Sequence, residues 1–367
     1  MVPIEEIRET LVALHETPGI GRLTIERLLA RSALGDARER CAGDWRDLGL
    51  TARQAEAAVE QLGEARMEAR RRRWARTGLS FVTALDAAYP DRLRQIADAP
   101  WVLYYYGRLE LADRPAVAIV GTRLATTYGR RVAAELASDC ASAGLTVVSG
   151  MAKGIDAAAH FGALQGHAST VAVLGSPADT PYPPENRALY RQIVEGGLVL
   201  SETPPDVPLS RALFPLRNRI IAGLTLGVVV VEAAERSGAL ITADLASSYN
   251  RDIFVVPGPV HSPRSRGPLN RLRENSAKPV LDASDILGEY QAYLTAPPFG
   301  APRAEIAPPE LTPDEARVYR ILTDGPRSID ELAIEAGLTF GLLHAVLLSL
   351  QIKRKIHQQP GSVYNAL

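Results

Sequence analysis

The sequence predicts an α/β protein built on a doubly wound parallel sheet, preceded by a helical domain and followed by a winged helix-turn-helix domain. Three observations carry this. Between residues 80 and 290, short runs rich in Val, Ile and Leu alternate with amphipathic stretches, the order that builds βαβ units. Residues 1–75 show helical apolar spacing and no strand pattern. A proline-rich linker, 291–312, then separates the body from residues 313–367, which read as three helices and a hairpin.

In the helical domain the apolar positions are Ile7, Leu11 and Leu14, then Ile25, Leu28 and Leu29, then Ala55 to Leu62. The segment Thr17-Pro18-Gly19-Ile20-Gly21 joins the first two helices in the style of a helix-hairpin-helix. Its glycines would let the backbone approach a DNA phosphate, or simply make a tight connection. The run Arg70 to Arg73 reads as a solvated helix face.

In the body the strands are Ala116 to Val120, Thr146 to Val148, Thr170 to Leu174, Leu198 to Leu200, Gly227 to Val231 and Ile253 to Val256. Helical stretches such as Gly129 to Ala143, Ile155 to Gln165 and Ala239 to Tyr249 separate them. Ligands of such sheets sit beyond the carboxyl ends of the strands. Those ends carry Gly121-Thr122-Arg123, Ser149-Gly150-Met151-Ala152-Lys153, Ser201-Glu202, Glu232 with Ser237-Gly238, and Pro257-Gly258. Immediately before the Gly227 strand, Phe214-Pro215-Leu216-Arg217-Asn218-Arg219 places two arginines and an asparagine on a turn where cations could meet a phosphate.

Composition sets limits on function. The chain has 367 residues, 46% hydrophobic and 23% charged, with a net charge of −1, ordinary for a globular protein. The neutral sum hides segregation: Val207 to Val231 and Ile253 to Arg273 contain seven arginines (211, 217, 219, 264, 266, 271 and 273) and no acid. Local patches of this kind steer a polyanion. Only four of the 41 basic residues are lysine, so composition bias is the alternative source of any single arginine. Two cysteines, Cys41 and Cys140, fit a reducing compartment. Early charges at Glu5, Glu6, Arg8 and Glu9 argue against a secretory signal, and the absence of a long apolar run argues against a membrane span. The expectation is a cytosolic protein.

Enzyme fingerprints are missing. No G-x-G-x-x-G follows the first body strand, and no G-x-x-x-x-G-K-[ST] occurs anywhere. The six histidines, at 15, 160, 167, 261, 344 and 357, lack metal-ligand spacing. Asp156, Glu202 and Glu232 are the candidate acid/base groups, and each has a structural alternative in a helix dipole or an arginine partner. In the last domain the helix Thr339 to Leu350 occupies the reading position of a winged helix yet offers no Arg, Lys, Asn or Gln to a base edge. Lys353, Arg354 and Lys355 could touch phosphates without specificity.

Several blocks together resemble the DNA-processing protein A (DprA/Smf) family. They are Val117 to Arg123, Ser149 to Asp156, Val173-Leu174-Gly175 with Tyr182-Pro183, Phe214 to Leu224, Ser237 to Ala243 and Val256-Pro257-Gly258, and their order and spacing are specific. The resemblance implies a Rossmann-like core flanked by a SAM- or helix-hairpin-helix-like domain and a winged helix. It implies a homodimer that binds single-stranded DNA and helps load a RecA-type recombinase during natural transformation, with no catalysis, cofactor or metal. It implies strand contacts at Arg123, Arg211 and Phe214, then Arg217, Asn218 and Arg219. Gly121, Ser149, Gly150, Lys153, Ser237 and Gly238 complete the expected surface. Guanidiniums on the backbone and a base on an aromatic face are how sequence-tolerant single-strand grooves work. The run Gly267-Pro268-Leu269-Asn270-Arg271-Leu272-Arg273-Glu274-Asn275-Ser276-Ala277 departs from the family pattern, in a late part of the core where the family's dimer and recombinase surfaces lie.

Two other classes remain open from sequence. A nucleotide-hydrolysing enzyme on a related sheet would use Glu202 or Glu232, but its P-G-G-x-G-T run is missing. A transcription regulator would need a polar recognition helix.

Overall fold

The computed structural model describes residues 4–31, 34–166, 169–294, 311–323, 325–353, 355–359 and 363–366. The chain forms two compact units, Met1–Pro297 and Pro298–Leu367. Most of the proline-rich linker, together with His167, Arg354 and the expected hairpin turn at Pro360-Gly361, lies outside the described residues.

The first unit begins with helices α1 (Ile4–His15), α2 (Arg22–Ala30), α3 (Ala42–Asp47), α4 (Ala52–Leu62) and α5 (Glu64–Thr77). Strand β1 (Ser80–Thr83), helix α6 (Asp91–Arg94) and strand β2 (Val102–Gly107) follow. The wound core then runs β3 (Ala116–Val120), α7 (Thr127–Ser142), β4 (Thr146–Ser149), α8 (Ile155–Ala163), β5 (Thr170–Leu174), α9 (Arg187–Gly196), β6 (Leu198–Ser201) and α10 (Leu213–Leu224). It closes with β7 (Gly227–Val230), α11 (Gly238–Ser248), β8 (Asp252–Val255), α12 (Arg266–Arg273), β9 (Lys278–Pro279) and α13 (Ser284–Tyr290).

All nine strands form one sheet in the order β1-β2-β6-β5-β4-β3-β7-β8-β9. From β6 to β9 every pairing is parallel, whereas β1 and β2 add an antiparallel edge. Side chains alternate across a strand, and the two cores follow that period. Val117, Ile119, Val229 and Val231 pack with residues of α7 and α8. Ala118, Val120, Val228 and Val230 pack with residues of α10 and α11 on the other face. Burial on both faces explains why these strands read as continuous apolar runs.

The six expected body strands appear within a residue or two. The antiparallel edge, the short parallel strand β9 and α9 are additions. Strand β1 is only four residues long and β2 carries three consecutive tyrosines, Tyr104 to Tyr106, so neither shows a clean alternation. The N-terminal helices share their core with that edge: Leu11, Leu14, Trp45 and Met67 cluster with Val102 and Tyr104 of β2. Glu16 reinforces the junction, pairing with Arg70 at 2.6 Å and Arg73 at 3.0 Å while accepting from the Tyr104 hydroxyl at 3.1 Å.

The second unit contains α14 (Pro313–Thr323), β10 (Arg327–Ser328), α15 (Ile329–Ala336), α16 (Phe340–Ile352), β11 (Ile356–Gln359) and β12 (Val363–Ala366), with sheet order β10-β12-β11. Ser328 and Glu331 form a capping box on α15. Gly337, at φ 63°, ends it in the left-handed conformation that glycine adopts without strain. Lys353, expected at phosphates, pairs with Glu315 at 2.6 Å. The hydrogen-bonded Lys353 and Ser349 hold the Glu315 carboxyl down to about 2. Among the described residues no single helix is long and apolar enough to cross a membrane.

Candidate nucleic-acid interface

The chain leaves β3 toward β4 on one side and leaves β7 toward β8 on the other, although β3 and β7 are neighbours. Loops that diverge in this way open a crevice at the strand ends. Here the two loops are also tied together, by Thr122 N–H donating to Glu232 O at 2.7 Å and Val231 N–H to Val120 O at 3.1 Å. The Glu232 carboxylate accepts from the backbone N–H of Thr126 at 2.9 Å and from its hydroxyl. Thr126 in turn caps α7 at Gly129 N–H. This candidate acid/base group is therefore occupied in holding the first loop.

Beneath the crevice lies a buried charge network. Asp156, in the first turn of α8, accepts from Ala152 N–H at 3.3 Å and from the backbone of Gly121 and Gly150. Arg217 reaches the same place from α10, donating to Gly150 O at 2.6 Å and to Val173 O. A side chain at Gly150 would collide with that guanidinium, so this glycine makes room for an internal cation. Burial pulls the Arg217 pKa down to about 10 against the attraction of Asp156, and burial raises that of Asp156 against the attraction of Arg217. His160 beside them is pushed down to about 3, chiefly by burial and then by Arg217. A neutral ring fits its contacts: Nε2 accepts from Met151 N–H at 3.3 Å, and Nδ1–H donates to Thr170 Oγ1 at 2.7 Å.

The arginine segment differs from its expected arrangement. It lies within helix α10 and not on a turn, and Arg217, Asn218 and Arg219 are 7%, 8% and 9% exposed. Proline is tolerated in a first helical turn, because the N–H it lacks has no intrahelical partner there; Pro215 sits there. Every residue from Arg217 to Leu224 is buried, because α10 is packed against α11 and β5. A helix enclosed on all sides has no periodic signature. Arg219 donates from Nη2 alone to both carboxylate oxygens of Glu202, each at 2.7 Å, and its Nε approaches Asp98 at 3.5 Å. Asn218 donates to Gly238 O at 3.3 Å. Ser149 is likewise buried, donating its hydroxyl to Ile119 O at 2.7 Å, and Gly150 is buried with it.

What faces solvent is a smaller set. Arg123, Lys153, Arg211 and Gly238 are exposed, and Gly121, Phe214 and Ser237 are half-buried. The Arg123 guanidinium lies 5.5 Å from the centre of the Phe214 ring. Lys153 pairs with Glu185 at 2.5 Å on the exterior. Ser237 caps α11, accepting from Ala239 N–H at 3.3 Å. Tyr182 was not among the expected site residues, yet its exposed ring stands 5.4 Å from that of Phe214 at an interplanar angle of 40°. Its place beside Pro183 in a polar stretch was the available signal.

Comparison with known proteins identifies the family. The model of the family described as DNA recombination-mediator protein A matches residues 80–291. That of the DprA winged helix domain matches residues 302–362. Protein Smf of Synechocystis is 36% identical over 316 residues, 77% of this chain and 79% of its own length. DNA processing protein DprA of Streptococcus pneumoniae is 42% identical over 207 residues, 56% of this chain and 73% of its own. The crystal structure of DprA from S. pneumoniae superposes with a TM-score of 0.67 at 34% identity, covering 77% of this chain and 97% of that one. DNA processing protein A from Helicobacter pylori, described for its single-stranded DNA binding mode, gives 0.54 at 29% identity, covering 58% and 96%. By its core, its final domain and these relatives, the chain belongs to the DNA recombination-mediator protein A (DprA/Smf) family.

Proposed function

We propose that the crevice binds single-stranded DNA without transforming it, in the service of recombination. The observation that carries this is Arg123, an exposed guanidinium with no acidic partner among the described residues, lying over the Phe214 ring beside Tyr182. Arg123 and Arg211 neutralise the backbone, with Lys153 joining them at the expense of its Glu185 pair. Gly121, Ser237 and Gly238 bring main chain and a hydroxyl close to the strand, and Phe214 with Tyr182 receives a base. Stacking of this kind is worth about 1–3 kcal/mol per base and requires no particular sequence. Arg217, Asn218, Arg219, Ser149 and Gly150 act one layer down, fixing the loops that carry those contacts.

The three carboxylates weighed as acid/base groups support a non-catalytic reading: Glu202 is taken by Arg219, Glu232 by Thr126, and Asp156 by backbone N–H groups. The protein works in this reading as a homodimer that delivers the strand to a RecA-type recombinase. Gel shifts with single-stranded DNA, duplex DNA and RNA across a salt series test it, alongside the protein's mass in solution. Arg123→Ala should weaken single-strand binding and flatten the log-log salt slope by about 0.7, one phosphate's share on a single strand. Equal affinity for the duplex, or an unchanged slope, would overturn it.

A further inference from the structure

Beyond the ends of β7 and β8, a groove of about 710 Å³ is lined by Ala234, Glu235, Arg236, His261, Pro263 and Arg266. Its two walls are the loop after β7 and the loop leading into α12. Backbone bonds pin them together: Ala233 N–H donates to Arg264 O at 2.7 Å, and Gly267 N–H to Ala233 O at 2.9 Å. We infer that this groove carries the sugar-phosphate backbone of the strand onward from the Arg123 and Phe214 site, as a second segment of one binding path. This deepens, and rests on, the single-strand reading above.

Chemistry and position both support the assignment. Arg236 and Arg266 are exposed, and neither has an ion-pair partner among the described residues. The lone acid of the lining, Glu235, accepts from Asn270 Nδ2 at 3.4 Å. The imidazole of His261 is the one ring among the described lining residues, and no large aliphatic side chain accompanies it, so the groove offers cations to a polyanion and little to the apolar centre of a protein partner. The groove also adjoins the first site. Arg236 directly precedes Ser237, Gly238 is held by Asn218 of α10, and the loop after β7 is tied to the Arg123 loop through Glu232 O and Thr122 N–H. The groove is wide and open to solvent, which leaves room for a nucleic-acid backbone to lie across it.

The test compares strands of about 6 and about 20 nucleotides, the first near the short end of the usual span of one single-strand site and the second beyond it, on the full chain and on Arg236→Ala/Arg266→Ala. The short strand should bind the variant as it binds the parent. The long strand should lose roughly tenfold in affinity, with a salt slope flatter by about 1.4 for two lost contacts. Arg236→Lys/Arg266→Lys should recover most of the loss. Thermal melts of both variants should match the parent, because both side chains are exposed. Parity with the parent on both strands, or equal loss on both, overturns the inference. So does unchanged DNA affinity with a changed solution mass, which would make the groove an interface between copies of the chain. A parent protein that binds neither strand overturns the single-strand reading itself, and this path with it.

Discussion

Replacing Arg217 separates a residue that touches the strand from one that builds the site. In Arg217→Met the guanidinium leaves Gly150 O and Val173 O without their donor and leaves Asp156 without its countercharge. Breaking one side of a buried pair costs about 3–5 kcal/mol, because the remaining charge stays in a medium that solvates it poorly. At roughly 2–4 °C per kcal/mol for a unit of this size, melting should fall by about 6–20 °C. The loss has a pH signature. Without Arg217 the Asp156 carboxyl rises further above its unfolded value, so stability associated with its protonated form is present at low pH and is lost as pH rises through the folded value. The variant's deficit relative to the parent should therefore shrink on acidification, and Asp156→Asn should restore part of the stability at neutral pH. Differential scanning calorimetry from pH 5 to 8 measures both effects. DNA binding, taken at a temperature where the variant is folded, should keep the parent's salt slope, since an internal cation releases no counterions from the strand. A variant that melts like the parent and binds with a flatter slope would refute this, for it would mean the guanidinium reaches the DNA.

Phe214→Ala should weaken single-strand binding by about 1–3 kcal/mol with a melting temperature close to the parent's, measured by fluorescence anisotropy and calorimetry together; a large stability loss would move the ring into the core. Because His160 stays neutral in the fold while the unfolded ring protonates near 6.5, stability should fall on acidification by about 1.4 kcal/mol per pH unit below that point. Urea titrations at pH 7 and 5 should show this drop shrinking by roughly 2 kcal/mol in His160→Gln. In the second unit the depressed Glu315 carboxyl stabilises the fold above its unfolded value and stops doing so as pH falls toward about 2. Hydrogen exchange over residues 313–323 should accelerate in Glu315→Gln at pH 7, and differ little from the parent at pH 2.

The wound core was legible because its strands are buried on both faces, and runs such as Ala116 to Val120 and Gly227 to Val230 leave no other reading. The loops at the strands' carboxyl ends were legible too, since the alternation of strands and helices puts them all on one edge of the sheet. What sequence did not reveal was the direction in which side chains turn. Arg217 and Arg219 look like surface cations, and an acid-free run offers no nearby partner. Their partners come from elsewhere in the chain: Asp156 from α8, Glu202 from the end of β6, and main-chain carbonyls whose presence no side-chain pattern reports. Tyr182 escaped for a related reason, because its partner Phe214 is 32 positions away and meets it only after β5 and α10 are packed.

The shared packing of the first helices with strand β2 has a practical consequence. A fragment trimmed to begin at Ser80 would uncover Val102 and the Tyr104 ring and would strip the phenol of its Glu16 acceptor, turning the sheet's antiparallel margin into an adhesive surface prone to self-association. Recombinant work on the isolated sheet is better served by keeping the amino-terminal helices attached, and aggregation of the trimmed fragment should be relieved by polar substitutions at Val102.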